Sequence, residues 1–192
     1  MRKLPQEYEN PLDFSIGSIA IYILPYLHKF GATPNIITIL SFTLGILCAY
    51  SYSSGNYMTS AILYTLSYFF DNVDGLLARK YKMTSEFGDF LDHFSDAIKS
   101  LFIFYGIFTN ASIPSYIRIQ QSILLTVLFV AQTIHIGCQE KYYKQNNTPS
   151  SVLSHSQNAC RDPAKLLTIS RFFGCGTFNF VVVLVILSAS LW

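Results

Sequence analysis

Beyond residue 33 the chain is a succession of long apolar runs broken by short polar turns. A helix that crosses a bilayer needs about 20 mainly apolar residues. Five stretches qualify: Pro34–Ser53, Met58–Tyr81, Glu86–Thr109, Pro114–Gly137 and Ala164–Trp192. The last, 29 residues long, has room to kink near Gly174–Gly176 or to split in two, so the pattern predicts five to six spans. Upstream, FSIGSIAIYILPYLHKF (residues 14–30) carries Pro25 and polar flanks, which favours a helix lying in the membrane interface. One long polar loop, CQEKYYKQNNTPSSVLSHSQNACRDP, separates the fourth and fifth stretches. The expected fold is all-α: a polytopic integral membrane helical bundle of five to six transmembrane helices plus an N-terminal interfacial amphipathic helix. It forms a single domain over residues 1–192, with residues 1–33 cytosolic or interfacial and residues 34–192 forming the bundle.

Composition agrees. Of 192 residues, 51% are hydrophobic and 12% charged, against about 25% charged in soluble domains. The net charge of +2 is small and scattered, which argues against a nucleic-acid partner. The opening MRKLPQEYENPLDF puts acids and prolines where a cleavable signal would have its apolar core, so no signal peptide is expected. Cys48, Cys138, Cys160 and Cys175 form no CxxC pair. They read as single buried or membrane thiols, not as a disulfide framework or a zinc site.

Lysine and arginine orient the spans. With the N-terminus in the cytosol, Arg2, Lys3, Lys29, Arg79, Lys80, Lys82, Lys141, Lys144, Arg161 and Lys165 are cytosolic, and only Arg118 lies opposite. Lys99 and Arg171 fall within spans.

Six of the eleven acids crowd into one window, DNVDGLLARKYKMTSEFGDFLDHFSD, from Asp71 to Asp96. It covers the end of the second span, a turn near Met83–Thr84 and the start of the third. Asp71 and Asp96 each lie 12 residues from that turn, with Asp74 and Asp92 nearer to it. At about 1.5 Å per residue the two pairs reach matching depths, roughly 13–18 Å in. Asp71 and Asp74 share a face of one helix, and Asp92 and Asp96 a face of the other. Four carboxylates converging in a membrane repel one another and resist ionisation. Hard divalent cations answer that problem. Two ions about 3.5–4 Å apart are a common arrangement for phosphoryl chemistry. Glu86 and Asp89 instead suit the start of the third helix, where the helix dipole favours acids. Gly75 and Ala78 leave space beside Asp74, Gly88 opens space across the hairpin, and Arg79 is a bidentate phosphate donor at its mouth.

The spacing Asp71-x2-Asp74-Gly75-x2-Ala78-Arg79-x8-Gly88-x3-Asp92-x3-Asp96 resembles the signature of the CDP-alcohol phosphotransferase family. The resemblance implies a hydroxyl attacking the β-phosphorus of a CDP-linked donor and releasing CMP. It implies Asp71, Asp74, Asp92 and Asp96 as ligands of Mg2+ or Mn2+, two ions in all, with Asp96 also the general base. Gly75, Ala78 and Arg79 would hold the CDP moiety, and Ser85 falls where family members offer a hydroxyl to the nucleotide. Upstream, GATPNIIT resembles the family's TPN/TPD stretch, so Thr33, Pro34, Asn35 and Ile36 are donor-contact candidates. Locally the same residues read as a helix start, with Thr33 as cap and Pro34 in the first turn. Both readings can hold together.

Most small members resembling this chain take CDP-diacylglycerol and pass its phosphatidyl group to a small polar alcohol in phospholipid biosynthesis. The resemblance also implies a homodimer. The cytosolic mouth would face the cytoplasm from the endoplasmic reticulum in a eukaryote, or from the inner membrane in a bacterium. Arg161, Lys165 and Arg171 are candidates for gripping a phosphate-bearing acceptor. Lys99, at i+3 from Asp96, reads as charge balance. His93 resembles the Asp-His step of choline and ethanolamine phosphotransferases, which keeps transfer from CDP-choline or CDP-ethanolamine to diacylglycerol as an alternative. His135 reads as a surface residue at the cytosolic end of the fourth span. A cation transporter or channel is the reading from another class. It gives no reason for Gly75, Ala78, Arg79 and Gly88, and all four acids lie in one half of the membrane.

Overall fold

Helix ends follow local chemistry. The structure, a computed structural model, describes residues 4–144, 160 and 162–192. Those residues form helices α1 (Pro11–Lys29), α2 (Pro34–Ser53), α3 (Tyr57–Lys80), α4 (Glu86–Thr109), α5 (Ser115–Lys144), α6 (Pro163–Ser170) and α7 (Cys175–Ser188). Side-chain oxygens of Asn10, Thr33, Ser85 and Asp162 accept the first free amides of α1, α2, α4 and α6. The α1 and α2 C-termini close on Gly31 and Gly55 at positive φ, each followed by an amide bonded back to the last turn. α3 ends in the same way, with Met83 N donating to Ala78 O at 2.8 Å. Its left-handed residue, however, is Lys82, at φ 56°.

The last stretch is split. α6 passes through a short 3-10 turn, Arg171–Phe173, and α7 restarts at Cys175 after Gly174. α5 runs on to Lys144, beyond the expected Gly137, because EKYYK supplies helix formers and no breaker. Among the described residues, three helical stretches are long and apolar enough to cross a membrane: Pro34–Ser53, Ser115–Tyr143 and Pro163–Leu191. α3 and α4, 24 residues each, carry the acids and therefore read as less apolar. The described residues form helices and no strand, and the molecule is an integral membrane protein.

α3 is the hub, packing against α1, α2 and α7. Apolar helices gain little from the hydrophobic effect inside lipid, so small residues and interhelical hydrogen bonds carry the contact. Ser41 Oγ donates to Ser67 O at 2.9 Å, and Ser67 Oγ donates back to Ser41 O at 2.8 Å. Ser60 Oγ donates to Cys48 O at 3.0 Å. α1 lays Ala20 and Leu24 on Val73, Leu76 and Leu77 of α3, while Ile19, Tyr22 and Tyr26 face outward.

Two expectations are corrected. Cys138 and Cys160 form a disulfide, 22 positions apart in sequence, whereas Cys48 and Cys175 are free thiols as read. α6 turns back along the end of α5, and Cys160 is buried beside Cys138, Leu167 and Leu4. His135 is also fully buried, not a surface residue. α5 continues past it, and its ring nitrogens meet Ser170 Oγ at 3.0 Å and the Gln139 amide at 2.7 Å.

Candidate active site

The turn between α3 and α4 brings Asp71 of α3 to Asp92 and Asp96 of α4, whereas Asp74, expected as a fourth ligand, is not one of the clustered acids. Carboxylate oxygens of Asp71, Asp92 and Asp96 all lie within 4.8 Å of one another. Asp92 Oδ1 is buried with no hydrogen-bond partner among the described residues. An orphaned carboxylate oxygen beside two further carboxylates fits a hard divalent cation, whose oxygen ligands come from such donors. Asp74, one turn along α3 from Asp71, is buried and accepts Thr38 Oγ1 at 2.6 Å. Ser41 Oγ stands 3.4 Å from Asp71 Oδ1.

Two cavities flank these acids. The one at the hairpin mouth holds about 180 Å³ and is lined by Asp74, Asp92, Gly75, Ala78 and Arg79. Pro34, Asn35, Ser85 and Gly88 complete it from α2 and α4. It thus gathers most of the residues expected to hold the nucleotide. The Arg79 guanidinium lies against Gly75, where an added Cβ would meet Nη1 at 3.1 Å. A Cβ on Gly88 would sit 3.0 Å from Ser85 Oγ and 3.1 Å from Asn35 Oδ1, so this glycine keeps α2 and α4 close. Thr33 and Ile36 do not line the cavity. Thr33 caps α2, and Ile36 is 54% exposed.

The second cavity, about 320 Å³, is lined by Asp71, Asp96 and Lys99 with Gln132, Thr133 and Asn179. Its walls come from α3, α4, α5 and α7. His93 lines both cavities, and its Nε2 is 3.5 Å from Asp89 Oδ1. Tyr68 also lines the second cavity and donates its hydroxyl to Asp13 of α1. Asp13 further accepts the Gly176 amide at 3.1 Å, which ties α1 to α3 and α7. Burial pushes the Asp13 carboxyl up to about 7.

Of the cations expected at the acceptor, Arg171 and Lys165 are not among the described residues that line this cavity. Arg171 donates to Glu7 O at 2.6 Å and borders a separate open cleft with Pro5, Glu9 and Ser15. Lys165 is exposed on α6. Arg161 lies outside the described residues. Residues that the sequence did not single out do more. Thr38, Ser41, Ser67 and Gln132 reach the acids or their cavity, and Lys99 pairs with Asp71 as well as Asp96, both at 2.8 Å. Hydroxyls scattered through an apolar span leave no periodic trace of this role.

Comparisons with known proteins bear on the site directly. The chain is 36% identical over 81 residues to an archaetidylinositol phosphate synthase of Pyrococcus horikoshii, covering 42% of this chain and 43% of that protein. It is 30% identical over 104 residues to an archaetidylinositol phosphate synthase of Methanothermobacter thermautotrophicus, covering 54% and 53%. It is 33% identical over 81 residues to the inner membrane protein YnjF of Escherichia coli, covering 42% and 36%. The matched segments thus span about half the length of these relatives or less. No solved structure matches. The family model for CDP-alcohol phosphatidyltransferase matches residues 31–191, which takes in every acid of the hairpin and both cavities, and the chain belongs to that family.

Proposed function

We propose that this enzyme transfers a phosphatidyl-type group from a CDP-linked lipid, of the CDP-diacylglycerol kind, to the hydroxyl of a small polar alcohol, with release of CMP. The observation that carries the reading is the pair of cavities meeting at the hairpin acids. One is lined by Arg79 and the small residues of α3, the other by neutral hydrogen-bonding groups beside Asp96. Relatives named for the product archaetidylinositol phosphate support a lipid on the donor side and a polyol on the acceptor side.

In this reading Arg79 grips the donor diphosphate, and Gly75 and Ala78 let it lie close to α3. Asp71, Asp74, Asp92 and Asp96 hold Mg2+ or Mn2+. Bound there, a divalent cation neutralises the diphosphate and stabilises the departing CMP. Gln132 lines the second cavity, its Oε1 is buried without a partner among the described residues, and in this reading it accepts a hydroxyl of the acceptor. Asp96 takes the proton from the attacking hydroxyl. The new P–O bond forms at the β-phosphorus as the anhydride oxygen leaves with CMP. The lysine and arginine bias supports a mouth on the cytosolic face, where the nucleotide is handled in water while the acyl chains stay in lipid.

The test is CMP release by detergent-solubilised enzyme across a panel of CDP donors and alcohol acceptors, with Mg2+ or Mn2+ and after chelation. Release that needs a CDP-lipid, an acceptor and the metal is expected. Full turnover after exhaustive chelation overturns the metal-dependent reading, and release only with CDP-choline or CDP-ethanolamine overturns the donor assignment.

A further inference from the structure

Lys99 has a seat built for it by three helices. Its Nζ lies 3.0 Å from Ser41 Oγ of α2, 2.8 Å from Asp71 Oδ1 of α3 and 2.8 Å from Asp96 Oδ1 of α4. An ammonium has three N–H donors, and here all three have partners. The hydroxyl of Ser41 is itself fixed on Ser67 O at 2.9 Å. The stem crosses α2 at Gly45, where a Cβ would stand 2.6 Å from both Cγ and Cδ of Lys99. Only a residue without a side chain admits it. The Lys99 side chain is 10% exposed.

The four carboxylates therefore fall into two sets. Asp71 and Asp96 already share a positive charge on facing oxygens, whereas Asp92 Oδ1 is buried with no hydrogen-bond partner among the described residues. A divalent ion shared by the facing oxygens of Asp71 and Asp96 would have to displace the ammonium or stand against it, since like charges repel strongly at such range in a site of low dielectric. Four carboxylates with Lys99 carry −3, which one divalent ion reduces to −1. Two ions would make the site positive before any diphosphate arrives.

We propose that the Lys99 ammonium is a tethered second cation, so that the substrate-free enzyme takes one divalent ion, on the oxygens Lys99 leaves free, in place of the pair expected from the acids alone. This rests on the metal-dependent reading above. In it Lys99 is a positioning residue that holds Asp71 and Asp96 together across α3 and α4.

The count of bound Mn2+ tests it, measured on the purified full chain without nucleotide by the loss of the free-ion electron paramagnetic resonance signal, and again by calorimetry. The wild type is expected to bind one ion. Lys99→Met, unbranched and uncharged, is expected to bind two. Two ions on the wild type overturn the proposal and leave the metal-dependent reading standing. No ion at millimolar Mn2+ overturns both. One ion on wild type and Lys99→Met alike overturns the role given to Lys99. Should Lys99→Met fail to fold, Gly45→Ala replaces it. That variant keeps the charge but pushes the stem out of its slot, and a second, weaker Mn2+ site is expected, whereas an unchanged count overturns the proposal.

Discussion

At the end of the bundle that holds the acids, α2, α3 and α4 meet through hydroxyls, carboxylates and one ammonium. At the other end the same three helices meet through rings and branched side chains. Tyr52, Ile103 and Ile107 pack with Val182 and Ile186 of α7, and between the two ends Phe129 and Phe178, in ring contact with Phe104, line the second cavity. Both ends are packed, but they answer substitution differently. The polar end has specific partners, so a small change there removes a function and leaves a fold. The apolar end has shape, so a change there costs stability and leaves the chemistry.

The largest expected effect comes from the polar end. Asp96→Asn keeps the size and one oxygen but removes the proposed base. CMP release is expected to fall by about 10² to 10⁴, while nucleotide binding weakens much less, because Asp71, Asp74 and Asp92 remain. Asp71→Asn should lose both. Binding and release measured on the same purified variants separate the two roles, and equal loss of binding in both would make Asp96 chiefly a ligand. Next comes Arg79→Lys, which gives up the planar fork but keeps the charge. A charge-assisted contact to phosphate is worth about 1.5–3 kcal/mol, so KM for the CDP donor should rise on the order of tenfold or more, with kcat changed less.

The apolar end supplies the contrast. Ile103 is 2% exposed, and Ile103→Ala should lower stability by about 2 kcal/mol or more. Thermal unfolding in detergent reads this, and the activity of the fraction that stays folded should hold. A collapse of kcat without a change in melting would erase the distinction between the ends. The smallest effect is at the hairpin turn. Lys82→Gly relieves a left-handed lysine at φ 56°, for a gain of up to about 1 kcal/mol. A cysteine at Ser85 in that turn should be labelled from the cytosolic face, and labelling only from the opposite face overturns the orientation.

The apolar end was legible in the sequence as spans, and the polar end as a motif. Pro34–Ser53 was placed to the residue because Thr33–Pro34 is a strong local start, and Glu86–Thr109 was placed approximately, its Ser85 cap unread. The acids were found because their distances from the turn match. The partners of those acids left no such mark. Thr38 and Ser41 sit in an apolar run where a hydroxyl is tolerated anywhere, and only the crossing of α2 and α3 makes them neighbours of Asp74 and Asp71. Lys99 read as the companion of Asp96 because i+3 spacing is visible in one helix, whereas its bond to Asp71 depends on a gap at Gly45 in another. His135 read as a surface residue because neither the length of α5 nor the return of α6 was evident.

The bond between Cys138 and Cys160 gives the chain a second continuity. Lys141 adds a hydrogen bond to Cys160 O at 2.5 Å across the same junction. A protease that cuts once after Lys144 would sever the peptide chain, yet the two fragments would still travel as one molecule on a denaturing gel. Adding a reductant would release them as two bands. Two bands before reduction would show the thiols apart, as a reducing cytosol tends to keep them. The topology of the polypeptide at that point is a ring, closed by sulfur, and a ring must be opened twice before anything is lost.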